Sequence, residues 1–127
     1  MSVLLDASAL LALLGGEPGG DRVAAAIASG AAIGSVNLAE VARKLISGGV
    51  PDHDVRDALG GLSLRVLDFD EDLAYRTASL TQRTHQHGLS LGDCACLALA
   101  QRAGLPTLTA DRSWGDLDVG VDLRLIR

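Results

Sequence analysis

The chain has 127 residues, 48% of them hydrophobic, and a formal net charge of −5 at pH 7. Such a length suits one domain that buries about two thirds of its unfolded surface without disulfides or a structural metal. The apolar content excludes disorder, and the acidic balance excludes a protein that grips nucleic acid mainly through a basic face, so any nucleic-acid contact must be local.

In chain order, "SVLLD" (2–6) predicts a first strand and the run 8–14 a helix that is apolar on every face. Such a helix is covered either wholly by its own core or by its core and a partner. The run is too short to span a membrane and no Lys or Arg precedes it as in a secretory signal, so a cytoplasmic protein is expected. "GGEPGG" (15–20) breaks the chain before a helix over 21–29, and "AAIGSV" (31–36) predicts a second strand. A helix opens at Asn37 and ends near "SGG" (47–49), and Pro51 suits the start of another. "LRVLDF" (64–69) is the third strand, and a long helix runs from Glu71 to His87, where Gly88 stops it.

"GDCACLALAQRAG" (92–104) reads as a helix, "LPTLTA" (105–110) as a fourth strand, "DRSWGDL" as a short helix and "DLRLI" (122–126) as a fifth strand. Cys94 and Cys96, two positions apart on a helix, face different ways. With no CxxC spacing either, they read as buried thiols of a reducing compartment. Strands alternating with helices are the signature of a parallel sheet covered on both faces, and no linker divides residues 1–127, so a single α/β domain is expected.

Four acids occupy comparable places in this scheme: Asp6 ends strand one, Glu40 lies one turn into the helix after strand two, Asp93 begins the helix before strand four, and Asp111 follows strand four. Parallel strands put their strand-to-helix junctions on one edge, where such folds place their sites. Each acid also has a local explanation. Asp6 suits an N-cap, and Asn37 and Glu40 have capping-box spacing with Arg43 and Lys44 set for ion pairs. Asp93 and Asp111 suit the positive end of a helix dipole. Gathered in one pocket, however, two carboxylates about 4 Å apart repel by roughly 4 kcal/mol at an effective dielectric of 20. Either some protonate, or a hard divalent cation such as Mg²⁺ or Mn²⁺ compensates them, an arrangement suited to phosphodiester chemistry.

The stretches "LLDASAL", "SVNLAEVARKL" and "LSLGDCACLALAQRAGLPTLTADRSW" together resemble the PIN-domain ribonucleases, especially the VapC toxins of toxin–antitoxin pairs, over essentially the whole chain. The resemblance implies a three-layer α/β/α PIN-like domain with a central parallel five-stranded sheet. It implies that Asp6, Glu40, Asp93 and Asp111 bind one or two Mg²⁺ or Mn²⁺ ions and act in endonucleolytic cleavage of RNA. Ser8, Asn37 and Thr109 match polar positions that support the acids. Asp116 falls where some relatives carry a further acid, or is a solvated surface residue. A homodimer and a VapB-like antitoxin, whose tail covers the site, are implied as partners.

Such chemistry needs no histidine, so His53, His85 and His87 read as surface residues. With one Trp, one Tyr and one Phe, the chain offers little base stacking. Trp114 reads as core, while Arg112 is set either to meet a phosphate or to pair with a nearby acid. Two rival readings are a catalytically idle PIN-fold binding module and a phospho-receiver domain, to which only Asp68 and Asp70 correspond.

Overall fold

The computed structural model describes residues 2–127. Its five strands are β1 (Val3–Leu5), β2 (Ala31–Gly34), β3 (Arg65–Leu67), β4 (Thr107–Thr109) and β5 (Leu123–Leu125). Six helices connect them: α1 (Ala7–Leu14), α2 (Gly20–Ser29), α3 (Ser35–Ser47), α4 (Asp52–Gly60), α5 (Glu71–Thr84) and α6 (Leu91–Ala103). All strands are parallel, in the order β3-β2-β1-β4-β5. The expected three-layer α/β/α fold with its five-stranded parallel sheet is therefore formed, with every strand shorter than the run that predicts it.

Side-chain alternation along the strands divides the interior into two cores. Leu4 and Ala32 face a core built from α5, α6 and Trp114, whereas Leu5, Ala31 and Ile33 face one built from α1 to α4. α6 has the more buried position, every residue from Cys94 to Ala100 being buried. This explains its unbroken apolar run and places both thiols inside, free and unbridged. α1 is less enclosed than its sequence requires: Ala9, Leu10 and Ala12 are buried, while Leu11, Leu13 and Leu14 remain partly exposed.

Two helix boundaries differ from the sequence reading. α3 starts at Ser35 behind Gly34, not at Asn37, because β2 ends two residues earlier than its apolar run and the chain turns directly into the helix. Asn37 thus lies inside the first turn and is no N-cap. The long helix from Glu71 ends at Thr84, followed by a 3₁₀ turn over His85–His87 that Gly88 closes at φ 67°. All three histidines are exposed, as expected.

The sheet order also decides against the receiver reading. Receivers belong to the 2-1-3-4-5 class, with β1 beside β3. Here β1 lies between β2 and β4. Asp70, moreover, caps α5 through the Leu73 N–H and is bound by Arg102, so it is not poised as a phospho-acceptor. In this order the chain leaves β1 toward β2 and β3, then returns on the other side to β4. The crevice between the C-terminal ends of β1 and β4 is thus the switch point where doubly wound folds bind ligands.

Candidate active site at the β1/β4 switch point

Asp6 stands at that crevice, immediately after β1, and is only 4% exposed. Its Oδ1 accepts the Ala9 N–H at 2.8 Å, which caps α1. The Ser8 hydroxyl lies 2.8 and 2.9 Å from the two carboxylate oxygens. Thr109, at the end of β4, donates to Oδ2 at 2.5 Å. Ser8 Oγ also accepts the Ala110 N–H at 2.9 Å, and Thr109 Oγ1 accepts that of Asp111 at 3.1 Å. Ser8 and Thr109 therefore hold Asp6 and the chain leaving β4 in one network.

The capping explanation for Asp6 is correct and incomplete. Burial raises its pKa from 3.8 to about 6, against the lowering influence of the Thr109, Ala9 and Ser8 hydrogen bonds, and the charge of Asp93 raises it further. A shift of that size corresponds to about 3 kcal/mol against ionisation. A cap alone does not require so buried a carboxylate; a solvated one caps as well.

Glu40 projects from α3, and its Oε1 accepts from Asn37 Nδ2 at 2.7 Å. The same amide donates to the Gly92 carbonyl at 3.1 Å, tying α3 to the start of α6. The capping box expected for Asn37 and Glu40 is replaced by this side-chain pair, because the helix begins before Asn37. Arg43 and Lys44 are exposed and, among the described residues, make no ion pair with Glu40.

Asp93 forms a capping box with Ser90: its Oδ2 accepts the Ser90 N–H at 3.0 Å while Ser90 Oγ accepts its own N–H at 3.1 Å. Asp111 caps the 3₁₀ helix Arg112–Asp116, its Oδ1 accepting both the N–H and the hydroxyl of Ser113.

Asp6, Glu40 and Asp93 share one electrostatic neighbourhood, although no hydrogen bond joins them to one another among the described residues. The buried Cys96 thiol is pushed well above its ordinary pKa by burial first and then by the charges of Asp6, Asp93 and Glu40. Asp111 is attached to the same edge through its backbone N–H, but its carboxylate is turned toward Ser113 and exposed. Asp116 ends the 3₁₀ helix in an exposed position, and Arg112 is likewise exposed. Trp114 is fully buried, which assigns it to the core.

Among the described residues, no three His, Cys, Asp or Glu side chains by themselves stand close enough to enclose a metal ion. The donor chemistry nonetheless fits a hard cation. None of the ion pairs among the described residues involves Asp6, Glu40, Asp93 or Asp111. Oε2 of Glu40 and Oδ1 of Asp93 receive no hydrogen bond among these residues, so each acid is fixed by one oxygen and offers the other. Oxygen donors with no basic counterweight suit Mg²⁺ or Mn²⁺ rather than a softer ion.

Sequence reasoning passed over two features of this edge. Gly92 supplies the space in which the Glu40 carboxylate lies, and the buried Cys96 thiol feels the charges of three acids. A glycine in the first turn of an otherwise unbroken apolar helix is the signal that marked the first; the second had none, since a buried thiol suits any core.

The geometry defines a doubly wound α/β domain with a carboxylate-lined switch point. A family model for the PIN domain matches residues 3–120, and the chain belongs to that family. Among solved structures it is similar to a toxin–antitoxin complex from Klebsiella pneumoniae, with a TM-score of 0.75 and 20% identity over 98% of each chain. It is also similar to VapBC2 from Rickettsia felis bound to a promoter DNA fragment, with a TM-score of 0.76 and 16% identity over 98% of each chain. DNA-bound VapBC from Salmonella typhimurium gives 0.76 and 17%, covering 100% of this chain and 99% of that one. At these identities the shared property is the fold. Comparison with curated proteins gave no significant match.

Proposed function

We infer that this PIN domain is a Mg²⁺- or Mn²⁺-dependent endoribonuclease and the toxin of a VapBC-type pair, acting as a cytoplasmic homodimer restrained by a VapB-like antitoxin. Family membership supports a hydrolase acting on nucleic acid. The observation that carries the reading is Asp6: a carboxylate buried at the switch point, under the charge of Asp93 and paired with no cation, so that its ionised form is disfavoured and a bound positive charge would stabilise it.

Asp6, Glu40 and Asp93 would hold the ion, with Asp111 joining if its carboxylate leaves Ser113. Bound there, a divalent cation supplies Lewis acidity toward a phosphodiester. The chain's own residues do the rest. Ser8, Thr109 and Asn37 fix the carboxylates, so little reorganisation accompanies binding. Arg112, exposed beside Asp111, is placed to meet a phosphate. With so few aromatics, the substrate is held by its backbone and shape rather than by stacking.

The antitoxin part of the reading is supported by the toxin–antitoxin neighbours and by α1. Its half-exposed Leu11 and Leu14 line a groove of about 350 Å³ with Leu45 and Ser8, and Glu17, Lys44 and Arg127 also line it. Apolar walls suit the apolar face of an amphipathic segment, and because Arg127 is paired with Glu17 of the same groove at 3.1 Å, Lys44 is the basic residue left to meet an acidic group of it.

The idle binding module also has an observation in its favour, since Asp6, Asp93 and Asp111 all cap helices. Incubating the protein with a structured RNA, with and without chelator and beside Asp6→Asn, separates the two. Mapping the 5′ ends of cellular RNA after induction would then locate the cuts. Metal-dependent cleavage lost in Asp6→Asn is expected; cleavage indifferent to both, or no cleavage under any condition, overturns the enzyme reading.

A further inference from the structure

Gly92 is the second residue of α6, and its backbone has an ordinary negative φ, so conformational freedom is not what a glycine supplies there. Space is. A Cβ built on Gly92 would lie 2.6 Å from Oε1, 2.7 Å from Cδ and 2.7 Å from Oε2 of Glu40. The whole carboxylate therefore rests on the bare α-carbon. Asn37 locks it from the other side, one amide group bonding both Glu40 Oε1 and the Gly92 carbonyl. A methyl group at Gly92 would displace the carboxylate, the end of a flexible side chain, from the place where it meets Asn37.

From this we propose that Gly92 is a positioning residue: its missing side chain, together with its carbonyl held by Asn37, sets where the Glu40 carboxylate stands and so its fitness to hold a divalent cation. The proposal rests on the reading of Glu40 as a cation-holding acid. Gly92 touches neither cation nor substrate and acts through Glu40 alone. The contact also makes the site depend on the seating of α3 against α6, because the acid belongs to one helix and its cradle to the other.

The test is a calorimetric titration of the full chain with Mn²⁺, alone and as Gly92→Ala, Glu40→Gln, Glu40→Asp and the Gly92→Ala/Glu40→Asp double variant, each also melted without metal. Gly92→Ala is expected to weaken Mn²⁺ binding about 10- to 100-fold, the usual cost of disturbing a group that orients a ligand. Its Tm without metal should not fall, since alanine is the better helix former. Glu40→Asp withdraws the carboxylate by one methylene, so the double variant should bind Mn²⁺ no more weakly than Glu40→Asp alone. That non-additivity is the signature of one shared contact.

If Gly92→Ala instead lowers Tm, the double variant should restore it, because shortening the acid removes the clash; no restoration overturns the proposal. Wild-type Mn²⁺ affinity in Gly92→Ala beside weakened binding in Glu40→Gln overturns the positioning role and leaves the acid's own role standing. Unchanged affinity in Glu40→Gln overturns both.

Discussion

The Thr109 hydroxyl donates to Oδ2 of Asp6 at 2.5 Å across 103 positions of sequence, joining the ends of β4 and β1 where the direction of strand succession reverses. Both partners are buried, and the bond lowers the Asp6 pKa against the larger influence of burial. Replacing Thr109 by valine keeps the volume and removes the donor. The Asp6 pKa should then rise above about 6, and at about pH 8 the fold should lose about 1–3 kcal/mol for the unmatched buried oxygen. Carboxyl NMR titration reads the first effect and urea unfolding the second; an unmoved pKa would show that the hydroxyl does not govern this carboxylate.

Without metal, Asp6 makes stability depend on pH in a definite direction. Its pKa is raised from 3.8 to about 6, so the folded chain holds this proton more tightly than the unfolded one. The stabilisation is complete below 3.8 and is lost as pH rises through about 6. Asp6→Asn stays neutral throughout and should abolish cleavage while being the more stable form at about pH 8, by up to about 3 kcal/mol. The difference should close on acidification. Denaturant titrations at several pH values in chelator test this; marked unfolding of Asp6→Asn would mean that the cap on α1 outweighs relief of the buried charge.

The same linkage sets the response to metal. Mn²⁺ requires the ionised acid, so it should raise Tm strongly near pH 8 and weakly near pH 5. At a free concentration 100 times its Kd the gain is about 2.7 kcal/mol. Chelator should reverse it, and Asp6→Asn should show little of it. Equal shifts at both pH values would place the ion elsewhere.

Trp114 makes a prediction about the fold alone. It is fully buried between α6 and the segment leading to β5, and its indole N–H has no partner among the described residues. Trp114→Ala should cost about 3–5 kcal/mol. Trp114→Phe should cost clearly less, because the unpaired donor leaves with the lost volume. Chevron or equilibrium urea unfolding of both variants decides it, and equal losses would show that the N–H is satisfied by water.

The element order, the parallel sheet and the cap that Asp6 forms on α1 were legible in the linear chain because each rests on a local pattern: apolar runs of strand length, helix breakers, and a capping residue at a junction. A buried Trp114 was legible for the same reason. Tertiary structure decided what depends on two segments meeting. β2 stops at Gly34, so Asn37 falls inside α3 and turns sideways to the Gly92 carbonyl, a partner 55 residues away that no capping rule contains. Glu40 loses the expected ion pairs with Arg43 and Lys44 and settles on a bare α-carbon of another helix. The buried Cys96 thiol comes under the charges of three acids, while Asp111 turns to Ser113 two residues on. Periodicity and capping act over one or two helical turns and are written in neighbouring residues. The placing of one carboxylate against another follows from strand order and helix seating, which depend on the packing of the whole core.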